Sequence, residues 1–410
     1  MPAENKLVRM RIRGRAAAAA PLISLLALTA CSGSSHDTGG ASSSGASSKA
    51  GASSSSGGSA SPSASSSVAP PEPVKNKPGS ITIGASGDLI VHPSVTQMAR
   101  RAAGGTGYRF DQFFGQISPV TKAGDLRICQ MENPLSRDDT NLARELSFNA
   151  PHEFATTVKS IGFDGCSTAN NHAYDRGLSG LASTRSVMAA NGLQAAGPAA
   201  SAGEKGQPVF YEAKGFKVAQ LSYSYTLDNR INGDQTGTPK DAPWVADNLY
   251  AVRTPEGIEA DAAEARKQGA DIVVVSMHWG REYKPVSAEQ KKYADALLRS
   301  GQVDWIIGNH PHIVQPCQKI DGRYVSYALG NLFSGQQAAY LPGTADGAYA
   351  SVTFTRDAGG KISQSMTYQP TYQDQKTRVV ELATPSQNPA SYAKTTATMG
   401  AFGCDAKPAS

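Results

Sequence analysis

The chain is poor in the features that mark several common classes of protein. Its 410 residues include five cysteines, and no two have the CxxC spacing of cysteine-based metal sites. The formal net charge is only +5, and no Lys/Arg patch is interleaved with aromatic residues. We therefore predict no nucleic-acid partner. The apolar segment from Ala16 to Ala30 is too short to span a membrane comfortably.

Residues 1–31 have the pattern of an export signal. A basic stretch with Lys6 and four arginines precedes the apolar segment. That segment ends in Leu28-Thr-Ala-Cys31, which resembles the lipobox of bacterial lipoproteins. The resemblance implies that Cys31 is lipidated and anchors the protein at the extracytoplasmic face of the membrane. A plain secretory signal is the alternative, and either one predicts export.

The rest of the chain divides by composition. Residues 32–70 contain 18 Ser and 7 Gly, too few apolar groups to offset the entropy lost on ordering. We therefore predict a disordered tether over 32–79, stiffened by prolines near its end. A folded domain is expected over 80–370. Residues 371–410 carry no strong signal, and we interpret them as a C-terminal tail.

Four cysteines remain besides Cys31, and in an exported protein they permit two disulfides in three connectivities. Cys129 and Cys166 each lie on a predicted strand a few residues before a motif, so adjacent strands could pair them. Cys317 with Cys404 would then hold the C-terminal tail to the domain. We favour this pairing, although spacing alone leaves the other connectivities open.

From Ser80 onward, strands alternate with helices, which indicates an α/β layered architecture. Runs of β-branched and other apolar residues predict strands, some buried on both faces. Amphipathic segments between them predict helices, among them one over 110–122. The region from Asp228 to Trp244 is interpreted as a long loop over the site. The main predicted strands are 81–91, 125–131, 163–168, 272–276 and 303–307.

Polar residues able to bind a metal or transfer a proton follow these strands. Open α/β sheets place their sites beyond the carboxyl ends of strands, so the side chains are expected to converge. His310 and His312 are two residues apart and would point the same way on an extended segment. A pair of surface histidines is the alternative. The strand-end residues are Asp88, Glu132, Asn171, His172, His278, His310 and His312.

Carboxylates, a carboxamide and imidazoles together suit Mn, Fe, Zn or Mg better than copper. These residues fall in six motifs, which are Gly87-Asp88, Met131-Glu-Asn-Pro134, Ala169-Asn-Asn-His-Ala-Tyr-Asp175, His278-Trp-Gly-Arg-Glu-Tyr283, His310-Pro-His-Ile-Val-Gln-Pro316 and Tyr327-Ala-Leu-Gly-Asn-Leu-Phe333. Together the motifs resemble the capsule-synthesis CapA family, which is associated with bacterial poly-γ-glutamate production. The resemblance covers about residues 81–335, with the motifs in family order.

That family in turn resembles the calcineurin-like metallophosphoesterases, which implies a four-layer αββα sandwich. The resemblance implies that His172 is an acid or charge stabiliser, and Asp175 either orients His172 or stabilises a helix start. Arg281 could hold an anionic substrate or form a solvated pair with Glu282. Asn331 matches the family motif and is proposed to bind substrate, with a turn cap as the alternative. The implied metal ligands are Asp88, Glu132, Asn171, His278, His310 and His312.

Two positions depart from the metallophosphoesterase pattern. Ile90 stands where a second ligand, a histidine, is expected, and His92 could substitute only across a bulge. Glu132 replaces a shorter bridging Asp. We therefore expect one firm metal site and a weaker second.

The favoured hypothesis is a surface-anchored protein that acts on an anionic polymer, through a phosphorylated or γ-glutamyl substrate. Metal-dependent hydrolytic or transfer chemistry would serve its synthesis, attachment or export. Alternatives are a non-catalytic assembly subunit working with membrane polymer-synthase subunits, or a secreted metallophosphoesterase unrelated to capsule.

Overall fold

The computed structural model describes residues 77–143, 147–229 and 238–409. The expected export signal, Cys31 and the tether up to residue 76 lie outside the described residues. Among the helices in the described ranges, none has the length and apolar character needed to cross a membrane.

The described residues form two β-sheets with helices on their outer faces. The strands are β1 (Gly79–Ile90), β2 (Leu126–Met131), β3 (Gly165–Ser167), β4 (Gln194–Ala196), β5 (Val209–Ala213), β6 (Phe216–Ser224), β7 (Ile272–His278), β8 (Trp305–Asn309), β9 (Cys317–Ile320), β10 (Arg323–Ser326), β11 (Asn331–Ser334), β12 (Asp346–Arg356), β13 (Ile362–Gln373), β14 (Val380–Leu382) and β15 (Lys407–Pro408). The α-helices are α1 (Pro93–Ala102), α2 (Ser118–Lys122), α3 (Glu153–Ser160), α4 (Gly177–Ala190), α5 (Tyr250–Lys267), α6 (Ala288–Arg299) and α7 (Pro389–Gly400). Short 3-10 helices cover Asp111–Phe113 and Pro243–Asn248.

The first sheet has the strand order β14-β13-β12-β1-β2-β3-β4, with β11 also paired to β1 and β15 to β13. Its strands β1, β2, β3 and β4 are parallel. The second sheet has the order β5-β6-β7-β8-β10-β9, and β6, β7, β8 and β10 are parallel. In each sheet, parallel strands bring their carboxyl ends to one edge, where ligands of open α/β sheets bind.

Alternation along β7 shows how the layers are built. Ile272 and Val274 pack in a core shared with Ile83 of the first sheet. Val273 and Val275 pack on the opposite face, in a core that includes residues of α5 and α6. Side chains of α1, α3 and α4 cover the outer face of the first sheet in a third core. The result is helix, sheet, sheet, helix, which confirms the predicted four-layer αββα sandwich.

Strand β1 changes its partner just before the first strand-end carboxylate. It pairs antiparallel with β12 through Ala85 and parallel with β11 from Asp88, with an irregular register between. A Cβ added at Gly87 would lie 2.1 Å from the carbonyl oxygen of Gly330. Only glycine permits this approach. The Asp88 N–H donates to that same carbonyl at 2.9 Å, which anchors the end of the strand.

Most of the segment 371–410, interpreted from sequence as a tail, is described through residue 409 and contributes strands and a helix to the same sandwich. Strand β13 continues to Gln373, β14 and β15 pair with it, and α7 contacts β12 and β13. Met399 of α7 is buried in the core between the sheets. The strands β14 and β15 have only three and two residues, so they leave little local periodicity to detect.

The cysteines pair as favoured from the sequence. Cys129 and Cys166 are register partners on β2 and β3, with Cα atoms 4.2 Å apart. Cys317 of β9 bonds Cys404, with Cα atoms 5.6 Å apart. The second disulfide therefore joins the C-terminal segment to the second sheet.

One predicted helix differs in extent. The segment 110–122 was expected to be a single helix, but it forms a 3-10 turn at Asp111–Phe113 and then α2. Gly115 lies between them, and Pro119 occupies the first turn of α2, where a missing N–H is tolerated.

Candidate metal centre

Six side chains with oxygen or nitrogen donors meet where strands of both sheets end. Each is at least 97 % buried. Asp88, Glu132 and Asn171 come from the first sheet, at the ends of β1, β2 and β3 or just beyond them. His278 ends β7, and His310 and His312 follow β8. The structure thus brings together every residue that the sequence proposed as a metal ligand.

One group of donors consists of Asp88, Glu132 and His312. His312 Nδ1 lies 3.2 Å from Asp88 Oδ2, and His312 Nε2 lies 3.6 Å from Glu132 Oε1. One ligand atom from each of the three residues lies within 4.8 Å of the other two. The group has the size of a first coordination sphere.

A second group lies against the same carboxylate. His278 Nε2 lies 2.8 Å from Asn171 Oδ1 and 3.7 Å from Glu132 Oε1. The ring of His310 is 4.8 Å from that of His278, measured between centroids. Glu132 therefore stands between Asp88 and His312 on one side and His278 on the other.

The two histidines after β8 do not lie on an extended segment. His310 has a φ of 94° and His312 a φ of 57°, both in the left-handed region that L-residues rarely adopt. The expectation that they point the same way from extended backbone was therefore wrong in its geometry. Their rings nevertheless converge, 6.0 Å apart between centroids, because the strained turn aims both inward. Strain of this kind persists where the surrounding structure holds it in place.

Several buried polar atoms of the centre have no hydrogen-bond partner in the described structure. An unpaired buried polar atom costs about 1–3 kcal/mol, and a charged one costs more. The buried unpartnered atoms are Asp88 Oδ1, both carboxylate oxygens of Glu132, Asn171 Nδ2, His278 Nδ1 and His310 Nδ1. Their concentration in one place indicates that the site is built for a group the protein itself does not supply.

Burial sets the protonation states in the centre. It raises the pKa of Glu132 well above the usual range, and the nearby Asp88 charge acts in the same direction. It lowers the pKa values of His278 and His310 well below theirs, helped by neighbouring imidazoles. Burial also pulls down the pKa of His312, but Glu132 and Asp88 outweigh it and raise that pKa to about 10.

These residues fit a divalent cation. Two carboxylates and an amide oxygen are hard donors, and the neutral imidazoles of His278 and His310 are good nitrogen ligands. A cation would compensate the charge of two buried carboxylates that otherwise have few partners. The choice among Mn, Fe, Zn and Mg, the metals expected from the sequence, stays a prediction.

His172 lies beside the centre but is held differently. Its Nδ1 lies 2.9 Å from Asp175 Oδ2, which also accepts the N–H of Phe148 at 2.7 Å. The Phe148 ring packs edge-on against the imidazole, with centroids 4.5 Å apart. The structure therefore places Asp175 where it orients His172, one of the two roles considered for it. The remaining nitrogen, Nε2, lies 3.4 Å from Asn229 Nδ2 and is the atom that could exchange a proton with a substrate.

Tyr225 and Asn229 also border the centre, and sequence reasoning did not single them out. The Tyr225 ring is 4.6 Å from the His310 ring between centroids. Asn229 Nδ2 lies 3.4 Å from His172 Nε2, and Tyr225 OH donates to Asn229 Oδ1 at 3.3 Å. The available signal was their position after strand β6, at the start of the loop expected over the site. Residues 230–237 of that loop lie outside the described residues.

The remaining predicted residues lie at the edge of the centre. Arg281 is exposed, and its guanidinium forms no ion pair with the described residues, so its contact with an anionic substrate stays a prediction. Asn331 is buried, and its Oδ1 lies 3.0 Å from His312 Nδ1, while its amide donates to the Thr344 carbonyl at 3.0 Å. Asn331 was proposed to contact substrate, but the structure places it against a histidine of the centre.

The two departures noted in the sequence have a structural counterpart. Ile90 is buried and apolar at the end of β1. His92 accepts the Gly335 N–H on Nδ1 at 3.1 Å, and burial lowers its pKa to about 4. Within the described residues, His92 belongs to no group of donor atoms close enough to share an ion. The structure therefore does not place His92 as the substitute for the missing ligand.

The described residues form a four-layer sandwich with carboxylate, amide and imidazole donors at its strand ends, an arrangement that can hold a divalent cation. The family model described as bacterial capsule synthesis protein PGA_cap matches residues 82–336, and the chain belongs to that family. Its span includes all six donors of the centre.

Similar proteins carry related descriptions. The PGA biosynthesis protein CapA of Bacillus subtilis (strain 168) is 29% identical over 230 residues, covering 55% of this chain and 57% of that protein. The capsule biosynthesis protein CapA of Bacillus anthracis is 28% identical over 273 residues, or 64% and 62% of the two chains. A probable polyglutamine synthesis accessory protein of Mycobacterium tuberculosis is 25% identical over 177 residues, or 41% and 44%. The matched regions thus span less than two thirds of each relative.

Among solved structures, the calcineurin-like phosphoesterase YfkN from Bacillus subtilis is 14% identical. Its TM-score is 0.42, and the likeness covers 78% of this chain and 98% of that chain.

Proposed function

We propose that the protein acts in the synthesis, attachment or export of an anionic capsule polymer such as poly-γ-glutamate, through metal-dependent hydrolytic or transfer chemistry. The observation that carries this proposal is the set of buried, unpartnered donors beside the His172–Asp175 pair. Membership in the capsule synthesis family supports the polymer as the biological target. The substrate class is a phosphorylated or γ-glutamyl compound.

The residues of the chain would divide the work. Asp88, Glu132, Asn171, His278, His310 and His312 would hold the cation. A divalent cation in such a site supplies Lewis acidity toward a phosphoryl or acyl oxygen and activates water. His172 would hold a proton at Nε2 and deliver it to a leaving group, while Asp175 keeps Nδ1–H in place. Phe148 excludes water from one face of the His172 ring.

The test is a strain lacking the protein, complemented with full-length variants, with cell-surface polymer as the measurement. Wild type should restore polymer, whereas His310→Ala and His172→Ala should not. Only the His310→Ala protein should also lose metal when purified. Glu212→Gln is the control, because Glu212 is an exposed carboxylate on β5 that belongs to no group of candidate metal donors among the described residues. Restoration of polymer by both site variants would refute the catalytic part of the proposal.

A second candidate is a non-catalytic assembly subunit that works with membrane polymer-synthase subunits. Buried Ile90 and the backbone-bound His92 favour it, because they leave Asp88, Glu132 and His312 without a further donor from β1. This function predicts metal binding without turnover of phosphodiester or γ-glutamyl substrates. Activity on nucleotides with unchanged surface polymer would instead point to a secreted phosphoesterase.

We also propose that the protein is exported and lipid-anchored through Cys31. The support is the basic and apolar N-terminal pattern ending in Leu28-Thr-Ala-Cys31. Cys31→Ser should move the protein from the membrane fraction to the soluble extracytoplasmic fraction. Unchanged membrane association of that variant would contradict the lipid anchor.

A further inference from the structure

A third carboxylate reaches the solvent side of the centre. Glu282 lies in the loop that follows His278 and β7, and its side chain is exposed. One of its carboxylate oxygens lies within 4.8 Å of ring nitrogens of both His310 and His312, which are themselves this close to each other. From sequence, Glu282 with Arg281 could be taken for a solvated surface pair, so its place beside two buried histidines comes from the fold.

The loop that carries Glu282 is hydrogen-bonded to residues 310–315, which include His310 and His312 and are called the histidine turn below. The Tyr283 N–H donates to the Pro311 carbonyl at 2.8 Å, between the two histidines in sequence. The Lys284 carbonyl accepts from Gln315 Nε2 at 2.9 Å, and Tyr283 OH bonds Gln336 at 3.0 Å. Tyr283 has a φ of 58°, a strained value that these contacts maintain. The Glu282 backbone is therefore positioned by its neighbours on the C-terminal side.

The Glu282 carboxylate is open to solvent and makes no hydrogen bond or ion pair with any of the described residues. His310 is 3% exposed, and its Nδ1 has no partner in the same part of the chain. A free carboxylate beside a buried, unpaired imidazole is an arrangement that a cation stabilises.

We propose that Glu282 is a metal ligand that closes the centre on its solvent side, binding a divalent cation together with His310 or His312. The residues from the strand ends supply the buried side of the sphere. Glu282 adds an oxygen donor beside His310 and His312, in a centre where neither Ile90 nor His92 provides a ligand at the end of β1. This inference rests on the metal-binding part of the proposed function and adds a ligand to it.

The experiment uses the full-length protein and two probes, Mn²⁺ for affinity and Co²⁺ for its visible ligand-field spectrum. Glu282→Gln keeps the size of the side chain but removes the charged donor. We expect it to weaken Mn²⁺ binding at least tenfold and to alter the Co²⁺ spectrum. Glu212→Gln, an exposed carboxylate on β5, should leave both unchanged. Glu282→Asp should bind Mn²⁺ better than Glu282→Gln.

The outcomes separate this inference from the function on which it rests. Wild-type protein that binds no Mn²⁺ would overturn both. A Glu282→Gln protein with wild-type affinity and an unchanged Co²⁺ spectrum would overturn the ligand assignment alone. Glu282→Gln could also bind Mn²⁺ more weakly than wild type at low salt but equally well at high salt, with an unchanged Co²⁺ spectrum. That result would show only a surface charge effect and would also overturn the ligand assignment. Equal binding by Glu282→Asp and Glu282→Gln would argue against ligation in the same way.

Discussion

The His172–Asp175 pair and the cluster of candidate metal ligands, both at the strand ends, differ in how their polar atoms are hydrogen-bonded. In the His172–Asp175 pair, the carboxylate accepts from both an imidazole and the backbone N–H of Phe148. The other region, called the ligand cluster here, consists of Asp88, Glu132, Asn171, His278, His310 and His312. There, both oxygens of Glu132 and the Nδ1 atoms of His278 and His310 have no such partner in the described structure. Both regions are buried, so burial does not distinguish them.

The difference teaches how each region is completed. A buried group with its hydrogen bonds made is oriented by the protein alone and can transfer a proton in a defined direction. Buried donors without partners are costly until a cation satisfies them. We therefore expect changes in the two regions to have separable effects, on proton transfer for one and on metal content for the other.

The largest effect is expected from His310→Ala. His310 lies in the ligand cluster with no protein partner for Nδ1, so its removal deletes a ligand. The purified protein should lose most of its metal, as measured by elemental analysis. It should also lose all metal-dependent turnover. A wild-type metal content in His310→Ala would break the comparison, because the unpartnered donors would then not be ligands.

His172→Ala is expected to affect turnover and leave the metal in place. General acid catalysis is worth roughly 10²- to 10⁴-fold, so kcat should fall within that range. The measurement is turnover alongside metal content of the same preparation. His172→Ala protein that lost its metal would show that the oriented region and the ligand cluster are one unit.

Asn331→Ala tests whether a hydrogen-bond partner of a metal ligand matters for metal binding, because Asn331 contacts His312. Its Oδ1 lies 3.0 Å from His312 Nδ1, so its loss should loosen the ring without removing a donor. Residues that orient ligands typically contribute about 10- to 100-fold in metal affinity. Chelator competition would measure this. An unchanged affinity would mean that Asp88 alone orients His312.

Counted per pH unit and per proton released, the smallest effect is the pH dependence of metal affinity. The raised pKa values of Glu132 and His312 mean that the metal-free centre holds protons that a cation must displace. Affinity should therefore rise with pH, by about tenfold per unit for each proton released, and level off above the raised pKa values. His278 and His310 have lowered pKa values and should release none. Calorimetry in buffers of different ionisation enthalpy measures the protons. Metal binding without proton release would contradict this prediction.

Much of the fold and most of the candidate centre could be predicted from the sequence. Buried parallel strands have uninterrupted β-branched runs, as in Ile272–Ser276, and the polar residue after such a run marks the strand end. Both signals are local. The segment 371–410 was not recognised as part of the sandwich, because β14 and β15 are stabilised by pairing with β13 and not by their own pattern.

The donors missed from sequence are those placed by loops. Glu282 lies near His310 because backbone hydrogen bonds hold its loop on the histidine turn, and no periodicity encodes that contact. Tyr225 and Asn229 reach the centre in the same way. The positive φ values of His310 and His312 were also unforeseen, since residue type predicts extended or helical backbone for histidine more readily than a strained turn.

The sequence by itself determined which residues could form the centre and that they would gather at strand ends, because hydrophobic runs specify parallel strands and parallel strands align their carboxyl ends. The tertiary structure decided which donors are left without partners and which are already bonded. Hydrogen bonding of a buried side chain depends on atoms brought from distant parts of the chain. Only the packing of the two sheets places Glu132 of one beside His278 of the other.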